Sequence, residues 1–192
     1  MIAIGVTGLN CAGKGEFIRI LVNLGYRSYS LSDMIRHELD KKGLEHSREN
    51  LVKYGNEMRH SRGPDILACL VLDSIAEDRT ERVAVDSIRN LAELERLRTH
   101  QAFVLTEVRA PVEVRFKRAK DRGRGEDYRH IEDFLDTEKK EFSRDPAAQQ
   151  LDAVIRHAEF SIDNKGSLEE LETRTVKLVR RIEELLPGRQ SP

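Results

Sequence analysis

The residues with the most evident chemical potential stand near the start of the chain, in Gly8-Leu9-Asn10-Cys11-Ala12-Gly13-Lys14-Gly15. Gly8 and Gly13 bracket a stretch whose backbone N–H groups can all turn inward, and Lys14 sets a cation beside them. Phosphate suits such a cradle. The apolar run Ile2-Ala3-Ile4-Gly5-Val6-Thr7 before it reads as a strand. The apolar period from Phe17 to Leu24 reads as a helix whose positive end faces the same point.

Strand, glycine-rich turn, lysine and helix are together the setting of a Walker A nucleotide loop, and the spacing agrees up to Lys14. ATP is the expected ligand, bound by Gly8, Asn10, Cys11, Ala12, Gly13, Lys14, Gly15 and Glu16. One position departs: the hydroxyl that would follow the lysine and meet Mg²⁺ is replaced by Gly15, and Glu16 comes next. A magnesium ion would then be held by phosphate oxygens, water and a carboxylate from elsewhere. Asp86, at the carboxyl end of the apolar run Arg82-Val83-Ala84-Val85, is the candidate, because a carboxylate there is costly unless paired.

Composition narrows the function classes. With 192 residues the chain can form one domain with its own core. Its formal net charge of -1, with acids and bases interspersed, gives no general nucleic-acid footprint. Cys11 and Cys69 make neither a disulfide framework nor a metal set, and the six histidines lack metal spacing. No long apolar segment or signal peptide is visible, so a soluble, cytoplasmic protein without a membrane role is expected.

The remaining elements must carry the chemistry to one place. Tyr26–Leu31, Arg82–Asp86, Ala102–Thr106 and Glu159–Asp163 read as four more strands, separated by helical patterns. Ser32 is the expected cap of a helix from Asp33, Ser47 of one ending near His60, and Pro64 opens a third, so that about 32–78 forms a helical insertion. Asn90-Leu91-Ala92-Glu93 and Ser167-Leu168-Glu169-Glu170 read as capping boxes. Asp145-Pro146 opens a short helix ending near His157, and Leu168 to Leu185 share one face of the last. About 118–128, rich in arginine and glycine, reads as a short lid. Five strands alternating with helices predict an α/β three-layer sandwich around a parallel sheet, with ligands at the carboxyl ends of the strands.

Gly8 to Lys14, Ser30-Leu31-Ser32-Asp33-Met34-Ile35-Arg36 and Val85-Asp86-Ser87-Ile88-Arg89 together resemble the nucleoside monophosphate kinases, adenylate kinases in particular. The likeness is closer still to a group of archaeal nucleotide or dephospho-CoA kinase-like proteins, and it extends over nearly the whole chain. It implies a P-loop NTPase fold with sheet order 2-3-1-4-5. It also implies that Lys14 contacts the transferred phosphate, that Arg36 and Arg89 hold the acceptor phosphate, and that Asp86 holds magnesium through water.

These roles agree with the physics of phosphoryl transfer, which must bring two anions into line and so needs cations on both sides. Arg36 and Arg89 follow strand ends, and their planar forks can grip a phosphate bidentately. Arg118 or Arg122, bordering the lid, could stabilise the transition state. Arg59 could line the acceptor site from the insertion, and Asp33 could orient the acceptor or simply cap its helix. The expected reaction is ATP-dependent transfer to a small phosphorylated acceptor, a nucleoside monophosphate first. A dephospho-CoA kinase, in which Asp33 would be the base, and a nucleotide-binding ATPase or interaction protein are the alternatives. The apolar helix faces are all needed by one core, so the residues assign no oligomeric state and no base preference.

Overall fold

The computed structural model describes residues 2–99, 102–122, 128–145 and 147–186. In chain order the elements are β1 (Ile2–Thr7), α1 (Lys14–Asn23), β2 (Arg27–Ser30), α2 (Leu31–Lys41), α3 (Arg48–Arg62), α4 (Ile66–Asp78), β3 (Arg82–Asp86) and α5 (Leu91–Arg98). Then follow β4 (Phe103–Arg109), α6 (Val112–Arg122), α7 (Ile131–Lys139), α8 (Leu151–Arg156), β5 (Phe160–Asp163) and α9 (Leu168–Leu185). All strand pairings are parallel, in the order β2-β3-β1-β4-β5.

Side chains alternate across this sheet, and each face feeds its own core. Ala3, Val83, Val85 and Leu105 face one side, where Leu31, Ile35, Leu67, Val71 and Leu94 from α2, α4 and α5 cover them. Ile4, Val6, Ala84, Val104 and Ile162 face the other, under Phe17, Ile20 and Leu21 of α1 and Leu171, Val179 and Ile182 of α9. Three layers result because a strand buried on both faces must be apolar at nearly every position, as β1 is. The central place of β1 puts its carboxyl end between those of β3 and β4, with Ser30 of β2 in register with Asp86 of β3.

Several local expectations are revised. The second helix starts at Leu31 with Ser30 at its N-cap position, so Ser32 lies inside the first turn instead of capping it. The helix expected from Asp145-Pro146 begins only at Leu151: Phe142 pairs with Gln150 in an antiparallel bridge, and the Ala148 N–H donates to the Asp145 carbonyl at 3.0 Å; Pro146 lies outside the described residues. Leu168 and Leu185, expected on the buried stripe of the last helix, are exposed, since α9 outreaches the sheet at both ends. Ser47 and Ser167 do cap their helices, accepting from the N–H groups of Asn50 and Glu170. Asn90 accepts from the N–H of Ala92, while the Glu93 carboxylate reaches back to the N–H of Arg89.

Arg59 is the largest revision. Instead of lining a crevice it is buried at 3 % exposure, its Nε donating to Glu93 Oε1 at 2.8 Å, with Glu93 itself fully buried. Burial pushes the Glu93 carboxyl up from its ordinary range, and the Arg59 guanidinium opposes that shift. The pair ties α3 to α5, so Arg59 is a structural cation. Arg59→Ala, which strands a buried carboxylate, should lower unfolding free energy by about 3–5 kcal/mol. The double change Arg59→Met with Glu93→Leu should cost much less. Denaturant melts of the three proteins check this; equal losses in the single and double variants would refute the pairing as the cause.

Candidate active site

The loop after β1 takes conformations that few residues tolerate. Gly8, Cys11 and Gly13 have φ of +136°, +57° and +100°. A Cβ at Gly8 would collide with the Val108 carbonyl of β4, and one at Gly13 with the Asn164 side chain, so both positions demand glycine. Gly15 is different. A Cβ there meets nothing, so no packing constraint accounts for the missing hydroxyl. Glu16 points away and pairs with Arg19 on the exposed side of α1.

The backbone of the loop is fastened from outside. The Ala12 carbonyl accepts from Asn164 Nδ2 at 2.8 Å and from Arg118 at 3.2 Å, and Arg118 also donates to the Asn164 carbonyl. On the other flank the Asn10 N–H donates to Glu138 Oε1 at 3.1 Å, while Arg115, paired with that same carboxylate, donates to the Asn10 carbonyl at 3.2 Å. Burial raises the pKa of Glu138 and the adjacent Arg115 resists the rise. Cys11 is buried with Ala119, Tyr128 and Phe134 in a small apolar cluster that joins the loop to α6 and α7.

Lys14 folds back over the loop, donating to the Gly8 carbonyl at 2.8 Å and the Leu9 carbonyl at 3.0 Å. Burial lowers its pKa to about 8; Arg89 pushes the same way, and Asp86, Glu141 and Cys11 push back. Asp86 ends β3 beside β1, Arg89 and Glu141 are paired at 3.1 Å, and all three act electrostatically on Lys14. Asp86 Oδ1 is buried and has no hydrogen-bond partner among the described residues. An orphaned carboxylate oxygen beside a phosphate loop fits a hydrated cation, which would supply the missing donors. Among the described residues no three His, Cys, Asp or Glu converge to cage a metal, so such an ion would draw on phosphate and water as well.

Next to this centre is a polar shelf. Ser30, Ser32 and Ser87 form a triangle of hydroxyls at 2.9–3.2 Å, and Arg36 donates to Ser32 at 2.8 Å and to Asp33 at 2.6 Å. Arg89 bonds Glu141 at 3.1 Å and Gln149 at 3.4 Å. Thus Lys14, Asp86, Arg36 and Arg89 gather along the carboxyl ends of β1, β3 and β2, whereas Arg59 and Glu16 lie apart. Arg118 is engaged in holding the loop, and exposed Arg122 reaches Cys11 Sγ at 4.0 Å. The lid expected over 118–128 is revised: 118–122 is the last part of α6, Tyr128 is buried, and 123–127 lie outside the described residues. Sequence reasoning overlooked Arg48, Arg115, Glu138 and Glu141, whose ion-pair partners are more than 20 positions away and follow no motif, and the grip of Asn164 on Ala12.

A family model described as AAA domain matches residues 7–134. A UPF0200 protein of Methanoregula boonei is 34 % identical over 184 residues, covering 95 % of this chain and 98 % of that protein. Among solved structures, TT1252 from Thermus thermophilus aligns with a TM-score of 0.60 at 21 % identity, over 94 % of this chain and 97 % of that one. Shikimate kinase from Acinetobacter baumannii, in complex with shikimate, aligns with a TM-score of 0.55 at 19 % identity, over 94 % of each chain. At such identities the two structures bear on the fold alone, and that fold is the P-loop kinase type with this strand order.

Because ATP is an anion, it should bind better to protonated Lys14. As pH rises through about 8 the free lysine loses its proton, so the ATP dissociation constant should climb between pH 7 and 9.5. Magnesium-free calorimetry at fixed ionic strength measures it. Lys14→Arg should flatten the profile, and a flat profile in the unaltered protein would contradict the assignment.

Proposed function

Because the chain belongs to the UPF0200 family and to the AAA domain family, we propose that it is an ATP-dependent phosphotransferase acting on a small phosphorylated acceptor, a nucleoside monophosphate first. The observation that carries this reading is Lys14 folded over its loop beside the unpartnered buried oxygen of Asp86 on the adjoining strand end, with Arg89 following β3 and Arg36 following β2. A hydrolase needs cations only around its triphosphate. A transferase between two anions needs them on both sides, as here.

In this reading ATP is a substrate whose phosphates lie in the loop from Gly8 to Lys14, against the N-terminus of α1. Lys14 leaves the Gly8 and Leu9 carbonyls for the transferred phosphate, trading two neutral acceptors for a charged one. Arg36 and Arg89 hold the acceptor phosphate. One of its oxygens bonds to the γ-phosphorus as the bond between that phosphorus and the bridging oxygen breaks, and the electron pair leaves with ADP. No base is required when the attacking group is already an anion. Asp86 would hold magnesium through water, and the ion when bound neutralises charge on the phosphates. Arg118 keeps the loop in shape by its bond to the Ala12 carbonyl.

Asp33 bears on the alternative acceptor. A hydroxyl acceptor, as in dephospho-CoA, would need a base, and the Asp33 carboxylate is engaged with Arg36 at 2.6 Å. A phosphate acceptor is favoured by that engagement.

The test is ADP release with each nucleoside monophosphate, dephospho-CoA and shikimate, alongside identification of the phosphorylated product. Turnover should need a monophosphate, and Arg89→Ala should raise acceptor KM with little change in ATP affinity. Phosphate released only to water would remove the transferase reading. Asp86→Asn should lower magnesium-dependent transfer by about two orders of magnitude or more while leaving magnesium-free ATP binding intact. An unchanged magnesium dependence would take Asp86 out of the site.

A further inference from the structure

Beside the proposed acceptor phosphate site lies a cavity of about 670 Å³, within the size range of small-molecule sites. Its wall includes Arg48 and Lys53 from α3, Lys140 from the end of α7, Tyr128, Gln149 and, between the two arginines, Glu141. The geometry of Glu141 is unusual for a surface acid. Its side chain is only 8 % exposed, Oε1 accepts from Arg48 at 2.7 Å, and Oε2 accepts from Arg89 at 3.1 Å. Each oxygen therefore engages a guanidinium from a different part of the fold, one in the helical insertion and one past β3.

A carboxylate held between two arginines has the shape and charge of half a phosphate. We propose that Glu141 is a built-in stand-in for the acceptor's phosphate, holding Arg48 and Arg89 together until a phosphomonoester displaces it and occupies the cavity. The inference rests on the phosphotransferase reading and adds Glu141 and a third arginine, Arg48, to the acceptor phosphate site. A phosphate dianion offers two negative charges and three oxygens, so it can outcompete a single carboxylate for two forks. A neutral nucleoside or a singly charged carboxylic acid cannot. Glu141 would thus act as a specificity-determining residue by competition, making the site costly to enter for anything weaker than a phosphomonoester. Its charge also lies within reach of Lys14, so an empty acceptor site keeps a negative group near the donor centre.

The sign of the effect separates competition from mere support. If Glu141 only positions Arg89, removing its charge should weaken acceptor binding. If it competes, removal should strengthen it. Calorimetry of the full chain with AMP, CMP and inorganic phosphate, each against the matching nucleoside or acetate, reads the difference. Glu141→Gln should tighten the best of these phosphate ligands by about tenfold, the scale of one charge-assisted hydrogen bond, and adding Arg48→Ala should undo the gain. Glu141→Asp, which keeps the charge but is too short to bridge both arginines, should shift affinity the same way and serves if the glutamine protein does not fold. Unchanged or weaker phosphate binding in a folded variant overturns the inference, as does no binding of any probe to either protein.

Transfer assays run separately keep the two readings apart. A working kinase whose Glu141→Gln protein binds its acceptor no more tightly would refute the role of Glu141 and leave the proposed function standing. Tighter phosphate binding with no transfer to any acceptor would do the opposite.

Discussion

Everything in this molecule depends on keeping a strained, inward-facing backbone in place when no ligand is there to hold it. A loop that turns its N–H groups to one point must turn its carbonyls elsewhere, and a buried carbonyl without a donor is expensive. Here Ala12 is satisfied by Asn164 and Arg118, and Asn10 by Arg115 and Glu138. Lys14 covers two more carbonyls from within. The sheet order follows from the same need, because only a central β1 lets the ends of β3, β4 and β5 all bear on the loop.

Charge is handled in two different ways. Where an arginine is wholly enclosed it has a dedicated carboxylate, as Arg59 has Glu93 and Arg115 has Glu138, and such pairs connect helices. Around the crevice the arginines are more exposed: Arg36 leans on Asp33 and serine hydroxyls, and Arg89 on Glu141 and Gln149. Buried pairs resist exchange because separating them strands a charge in low dielectric. The exposed Arg36–Asp33 pair can trade partners at small cost, which is what a binding surface requires.

The sequence carried the frame well and its long-range contacts poorly. Apolar runs bounded by glycine and polar caps located all five strands, and Gly8, Gly13 and Lys14 announced the loop because backbone geometry restricts which residues fit. Strand order came from family resemblance and not from periodicity, since no local pattern encodes which neighbours pair. Arg59 misled because an arginine on an amphipathic helix looks alike whether it meets water or a buried acid 34 positions away. The start of α8 was misread because the Phe142–Gln150 bridge before it leaves no mark in a helical pattern.

The bond from Asn164 to Ala12 spans 152 positions of chain. Contacts of such separation form late, since a long loop must close before they repay its entropy. The loop after β1 is synthesised well before β5, yet it waits for β5 and the turn after it before its outer carbonyl is held. A chain cut short before that turn would leave the Ala12 carbonyl without its Asn164 donor, so the shape of the loop is among the last local features the chain completes.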